Sequence, residues 1–311
     1  MATAGEYLAN LQRETSDFKP DPQLAMLWLQ HRYDSVCERV PWNFLHKEAT
    51  FQTVAAITAG TVTMTLGSAT VTETTSNANG WSSSVEGRYF RRDGDPEFYL
   101  IDTFGDANPD TLTLNRVYEG STGTVVGYTI FQRFYSLSSD AREVISMCVI
   151  DSPTPMREVS QKQMDDALCN RPMEGNPPAF WAMAGRDSSD LLRVELYPIP
   201  DEAHGILYHY IQKTPTLSDA DTSVIAQVPF ALLRSGWLAD YWSWRAARQD
   251  APPQSIAMSQ KMEMEFEKRF RELLIRECGN MEPKRLQMAS RFTGHRQRSK
   301  FGTDTSSIIL P

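Results

Sequence analysis

A catalytic or metal centre in this chain would have to be assembled from five histidines, four cysteines and scattered carboxylates. None of the histidines stands in an H-E-x-x-H or comparable metal-binding spacing. His204 and His209 are an odd number of residues apart, which puts them on opposite faces of a regular strand, and His31 lies near an apolar helical stripe, where ordinary packing accounts for it. Cys37, Cys148, Cys169 and Cys278 form no C-x-x-C pair; they read as reduced, mostly buried cysteines of a cytosolic chain rather than as a zinc or redox site. Asp165 and Asp166 are neighbours on a predicted helix and point about 100° apart, which suits a solvated face better than an acid/base pair. No G-x-S-x-G, Walker A or Rossmann pattern occurs; GSTGT at 120–124 follows a strand but carries no lysine and opens no helix, so it reads as a turn. Trp237, Trp242 and Trp244 could make a sugar or base platform, yet their helical spacing favours core or subunit packing. The expectation is a protein with no catalytic residues, no cofactor and no metal.

The elements around these residues are easier to read. Asp21 can cap a helix whose first turn takes Pro22, and Met26, Leu29, Tyr33, Val36 and Val40 fall at 3,4,3,4 spacing before Pro41 stops it. From 50 to 134 the texture turns to Thr, Val, Gly and Ser. TVTMTLGSATVTETT, GRYFRR, EFYLIDTF, DTLTLNRV and VVGYTIFQRF predict five to seven short strands of a small barrel or sandwich inserted between helical segments. After it, 137–148 reads as a helix capped at Ser138, Ser139 or Asp140, with Val144, Ile145 and Cys148 on one face. Ser160 caps a second short helix containing Met164 and Leu168. LRVELYPIPDEAHGILYHY, about 191–213, reads as a β-hairpin around a Pro-Asp-rich turn. Pro229 starts a helix with Phe230, Leu233, Trp237, Tyr241 and Trp244 on one side. A last helix, about 255–278, points Met262, Phe266, Phe270, Leu273 and Leu274 inward, sets Glu265–Arg269 and Glu267–Arg271 pairs outward, and ends at Gly279 and Asn280.

A length of 311 residues with 41% hydrophobic residues supplies at least one good core and suggests two domains. No apolar run is long enough to cross a bilayer, and the first residues lack the basic and apolar regions of a signal peptide, so no membrane partner is expected. The net charge of −8 is uneven. Between 281 and 311 six bases face two acids, a surplus of +4, which leaves −12 on the rest of the chain. An acidic body with a basic tail marks the tail as a docking segment and argues against a body that grips nucleic acid. In that tail Arg285, Arg291, Phe292, Arg296, Arg298 and Phe301 interleave bases with aromatics, and Ile308, Ile309 and Leu310 make an apolar end.

The order strand, P-x-P turn, strand, T-P-x-L, Pro-started helix in LRVELYPIPDEAHGILYHYIQKTPTLSDADTSVIAQVPFALLRSGWLADYW resembles the head-to-tail connector (adaptor) proteins of tailed bacteriophages. The preceding GNPPAFWAM is similar to that family's G-x-P-x-x-aromatic step. The sequence from GSATVT through Trp81 and GRYFRR to TLTLNRVYEG and GYTIFQRFYSL resembles a β unit found in phage virion proteins. The resemblance implies an α+β fold: a connector-type helical domain (1–49 and 135–280) with a β-hairpin, an inserted all-β small barrel or sandwich domain (50–134), and an extended C-terminal tail (281–311). It implies a structural virion protein of the neck, assembled in the host bacterial cytoplasm, in a homododecameric ring below the portal. Such a ring extends the DNA channel used in genome ejection and gives the next tail component, a nozzle or tail tube protein, its platform. Its partners would be itself, the portal protein and that tail component, with double-stranded DNA passing through without sequence-specific binding. Twelve copies at −8 carry a formal −96, which repels the genome rather than holding it. A decoration or receptor- or carbohydrate-binding virion protein is the alternative, expected to form a small oligomer off the virion. A lytic virion enzyme would need two carboxylates about 5 to 9.5 Å apart in a cleft.

Overall fold

The computed structural model describes residues 3–15, 20–75, 80–150, 152, 155–167, 177–217, 228–249 and 251–277. The chain is α+β and divides into two compact units, 1–45 with 214–311, and 46–213.

The first unit is helical. Helix α1 (Ala4–Glu14) opens with a capping box in which the Thr3 hydroxyl accepts from Glu6 N–H and the Glu6 carboxylate accepts from Thr3 N–H. Helix α2 (Pro22–Arg39) starts as its sequence dictates, with Asp21 accepting from Gln23 N–H and Pro22 in the first turn. Of its expected stripe, Met26, Leu29, Tyr33 and Val36 are buried and Val40, just past the helix, is half-buried. Among the described residues the unit has two further helices, one at Phe230–Ala246 and one over 255–277. Leu233, Trp237 and Tyr241 are buried on the former, Phe266, Phe270 and Leu273 on the latter.

The second unit is built almost entirely of antiparallel strands. Strand β1 (His46–Gln52) pairs with β14 (Gly205–Gln212), His46 opposite Ile211 and Gln52 opposite Gly205, and β10 (Ala141–Val149) covers the other side of β14. A second sheet holds β9 (Phe134–Ser136), β11 (Arg157–Glu158), β12 (Phe180–Arg186) and β13 (Leu192–Tyr197), with α3 (Gln161–Ala167) between β11 and β12 in sequence. The Ser160 hydroxyl caps α3 by accepting from Gln163 N–H, as its sequence predicts; Leu168, Gly279 and Asn280 lie outside the described residues.

Between β1 and β9 the chain makes one curled sheet of seven short strands. They are β2 (Val62–Met64), β3 (Thr70–Glu73), β4 (Tyr89–Arg92), β5 (Tyr99–Gly105), β6 (Thr111–Leu114), β7 (Gly123–Val126) and β8 (Tyr128–Phe131), in the order β7-β2-β3-β6-β5-β4-β8. Its core, among them Val62, Val71, Phe90, Ile101, Leu112 and Ile130, is drawn from this stretch alone. A separate core under the other two sheets takes Tyr135, Met147, Trp181, Val194, Ile206 and Tyr208.

Two expectations are corrected. The segment 137–148 is not a helix, because strand β10 occupies most of it. Register irregularities between Ala141 and Glu143 and between Val144 and Ser146 give it a burial rhythm of Ala141, Val144, Met147, which imitates a helical stripe. The run 191–213 does contain two strands, but they do not form a hairpin. β13 pairs with β12 and β9, β14 pairs with β1 and β10, and the YPIP segment carries the chain from one sheet to the other. The hairpin is β12–β13, where Asp187 Oδ1 accepts from Ser189 and Leu191 N–H at 2.8 and 2.9 Å and Asp190 takes φ 61°.

Candidate functional site

The helical unit offers the most elaborated surface. Its helix at Phe230–Ala246, α4, crosses α2 at Gly236, where a Cβ would stand 2.8 Å from Arg32 Cδ and 2.9 Å from Phe266 Cδ2, so only glycine allows the close approach. Trp237 Nε1 donates to the Ala25 carbonyl at 2.9 Å, and its ring packs edge-on to Trp28 and flat against Tyr241. Trp28 also meets Trp244 edge-on, and Arg248 lies 4.1 Å over the Trp244 ring. Trp237, fully buried, is a packing element, as its spacing predicts.

Arg32 ties three helices together. Its guanidinium forks onto Asp240 of α4, reaches Glu263 of the last helix, and stacks over Phe266 at 5.0 Å. Burial would lower its pKa, but the two carboxylates outweigh that and hold the charge more firmly than usual. Arg39 repeats the arrangement two turns along α2, bonded to Glu267 at 2.7 Å and lying over Phe270. Among the described residues Glu267 pairs with Arg39 of α2 and not with Arg271, the partner its spacing predicts, whereas Glu265 and Arg269 form the expected i,i+4 pair.

With Phe266, Phe270 and Leu273 turned inward, the opposite side of the same helix exposes Met264 and Ile275 at 68 and 73%. Around Met264 and Ile275 runs an open groove of about 520 Å3, lined among the described residues by Glu263, Met264, Glu267, Lys268, Arg271, Glu272 and Ile275. Apolar side chains rimmed by charges of both signs can hold another protein surface. The eleven-residue spacing of Met264 and Ile275, three turns apart on the side away from Phe266, is the sequence signal for this face.

Among the described residues no group of three or more His, Cys, Asp or Glu could hold a metal ion, and no helix is long and apolar enough to cross a membrane. Cys37 and Cys148 are free thiols, the first buried and the second half-buried. The tail residues Arg285, Arg291, Phe292, Arg296, Arg298, Phe301, Ile308, Ile309 and Leu310 all lie outside the described residues.

No curated protein matches the sequence. The profile of the SU10 adaptor protein family matches residues 112–291, from β6 through the last helix and beyond. That match spans more than half of the chain and includes the Arg32-bound carboxylates, the aromatic face of α4 and the whole of the exposed helical face. The chain therefore belongs to the SU10 adaptor protein family and is a structural adaptor protein of a phage virion.

Proposed function

We propose that this adaptor stands at the head-to-tail junction, in a ring of twelve copies below the portal. The ring extends the DNA channel, and the next tail component, a nozzle or tail tube protein, attaches to its lower face. The single observation that supports this reading is the adaptor-family match over 112–291, which runs through both units and into the basic segment. In this reading the connector-type domain comprises 1–49 and 135–280, with its strands β9 to β14 as well as its helices, and 50–134 is an inserted β-barrel domain on the outside of the ring. The separate core of the seven-stranded sheet is consistent with such an insertion.

The tail, 281–311, is the portal-docking element of the proposal. Its surplus of +4 beside a body at −12 suits contact with an acidic partner surface, and Ile308, Ile309 and Leu310 supply an apolar anchor. The full-length protein mixed with purified portal rings is expected to form twelvefold particles by negative-stain microscopy. Deleting 281–311 is expected to leave the melting temperature of the folded body unchanged while abolishing portal binding. Undiminished portal binding by the shortened chain would overturn the docking role, and a small closed oligomer without twelvefold symmetry would overturn the ring.

A further inference from the structure

The helical unit carries two outward stripes with the same spacing. On α2 they are Leu27, His31, Asp34 and Glu38, at intervals of 4, 3 and 4 residues; on the last helix Met264, Lys268, Arg271 and Ile275 repeat those intervals. Such intervals keep each set on one face of its helix. Each face lies away from the buried side, which is Leu29, Tyr33 and Val36 on α2 and Phe266, Phe270 and Leu273 on the last helix. Leu27 is 62% exposed, comparable with Met264 and Ile275. His31, Glu38, Lys268 and Arg271 are exposed as well, and Asp34 is half-buried. The first stripe is apolar at one end and acidic at the other, whereas the second is apolar at both ends and basic between them. Among the described residues Glu38, Lys268 and Arg271 make no ion pair within the chain.

A 4,3,4 spacing reads the same in both directions, so the stripes match whichever way two helices run. Antiparallel, Leu27 faces Ile275 and Asp34 faces Lys268; parallel, Leu27 faces Met264 and Asp34 faces Arg271. Either way an apolar contact and an opposite-charge contact stand seven residues apart on both partners, about 10 Å along the axis. His31 lies opposite the other base, and a ring nitrogen can accept from it. Within one chain α2 and the last helix meet through Arg32–Glu263 and Arg39–Glu267, which leaves both stripes outside that contact. We propose that the two stripes join neighbouring copies of this chain, α2 of one lying along the last helix of the next in the groove around Met264 and Ile275. The inference rests on the ring reading above and names the surfaces that hold the ring's members together. Two different surfaces make a heterologous contact, which leaves one stripe of each kind open until a ring closes. The acids on α2 favour a basic neighbour. Burial raises the pKa of Asp34, the hydrogen bond from Gln30 opposes it, and the charge of Glu38 adds to it, so a base seated between the two acids relieves their repulsion.

Titration of the full-length chain onto purified portal rings, counting bound copies by particle mass, tests the pairing. Four proteins are compared: the wild type, Lys268→Glu with Arg271→Glu, Asp34→Lys with Glu38→Lys, and both pairs combined in one chain. The wild type is expected to fill portal rings cooperatively, bare rings standing beside full ones. Each pair alone sets like charges against each other at every contact and should fill the rings one copy at a time, at about tenfold higher protein concentration and with unchanged Tm. The combination restores opposite charges at every contact and should recover cooperative filling. Should Asp34→Lys lower the Tm by losing its Gln30 bond, Glu38→Lys alone takes its place. Cooperative filling by Lys268→Glu with Arg271→Glu at the wild-type concentration would overturn the pairing and leave the ring standing, as would a combination that stays uncooperative while folded. A wild type that binds portal rings as isolated copies or not at all would overturn the ring reading, and the pairing with it.

Discussion

Arg32 on α2 and Asp240 on α4 meet fork to fork: Nε and Nη2 donate to the two carboxylate oxygens at 2.7 and 2.6 Å. The pair is largely screened from water, and the same guanidinium also serves Glu263, so one cation fixes the relative rotation of three helices. Replacing Arg32 by Met should cost about 2–4 kcal/mol in chemical denaturation, because two carboxylates lose their partner at once. The Arg32→Met, Asp240→Asn cycle should return a coupling of about 1–3 kcal/mol. A coupling near zero would mean that the fork is incidental to the packing.

Trp237 is fully buried and hydrogen-bonded to Ala25. Trp237→Ala is expected to lower stability by about 3–5 kcal/mol. Trp237→Phe retains much of the volume but loses the bond to the Ala25 carbonyl, and should fall between the wild type and the alanine variant. A loss below about 1 kcal/mol for the alanine variant would place the residue at a surface instead.

Asp140 gathers the two ends of the sheet unit. It accepts from Ser138 Oγ, from Tyr210 OH at 2.9 Å and from Lys47 Nζ at 3.2 Å, while its carbonyl accepts from Lys213 N–H at 2.6 Å. Burial alone would raise its pKa, but the bonds from Ser138, Tyr210 and Lys47 prevail and hold it below the usual range. A depressed folded pKa contributes stability that is present above the unfolded value near 3.9 and is lost as pH falls through the folded one. Asp140→Asn should therefore be destabilised at neutral pH and converge on the wild type in strong acid, as followed by Tm.

Val125 on β7 adopts φ 58°, a left-handed conformation that costs a β-branched residue about 1–2 kcal/mol, and its side chain is 63% exposed. Val125→Asn should raise stability by about 0.5–1 kcal/mol. An unchanged or lower denaturation midpoint would show that the valine side chain contributes packing that outweighs its strain.

What could be read from the chain alone depended on how local the deciding interaction was. Asp21, Pro22 and Pro229 announce their helices because caps and fixed φ angles act within one turn. Five to seven short strands over 50–134 were visible from their Thr-Val texture and turns, and seven form there. The path of β13 and β14 was not, because strand pairing is decided by partners far away: β14 takes His46–Gln52 and Ala141–Val149 instead of its neighbour in sequence. The bulged strand β10 misled for a different reason, since two extra residues shift a two-residue rhythm to one of three. At the candidate surface, Phe266 and Phe270 marked the inward side, and Glu265–Arg269 was found by spacing. The role of Arg32 could not be found that way, because its partners lie 208 and 231 residues away.

The pairing of β1 with β14 has a mechanical corollary. The chain enters the sheet unit at His46 and leaves it at Lys213, and His46 stands opposite Ile211 at the same end of one antiparallel ladder. Tension drawn along the backbone across these two points loads the ladder at its end, so its hydrogen bonds would open one after another rather than shear together. The first contacts to take that load are the Asp140 bonds to Lys47 and Lys213. A pulled chain would thus peel the sheet unit open from its doorway at low force, and the force needed would be set by a few polar contacts rather than by either buried core.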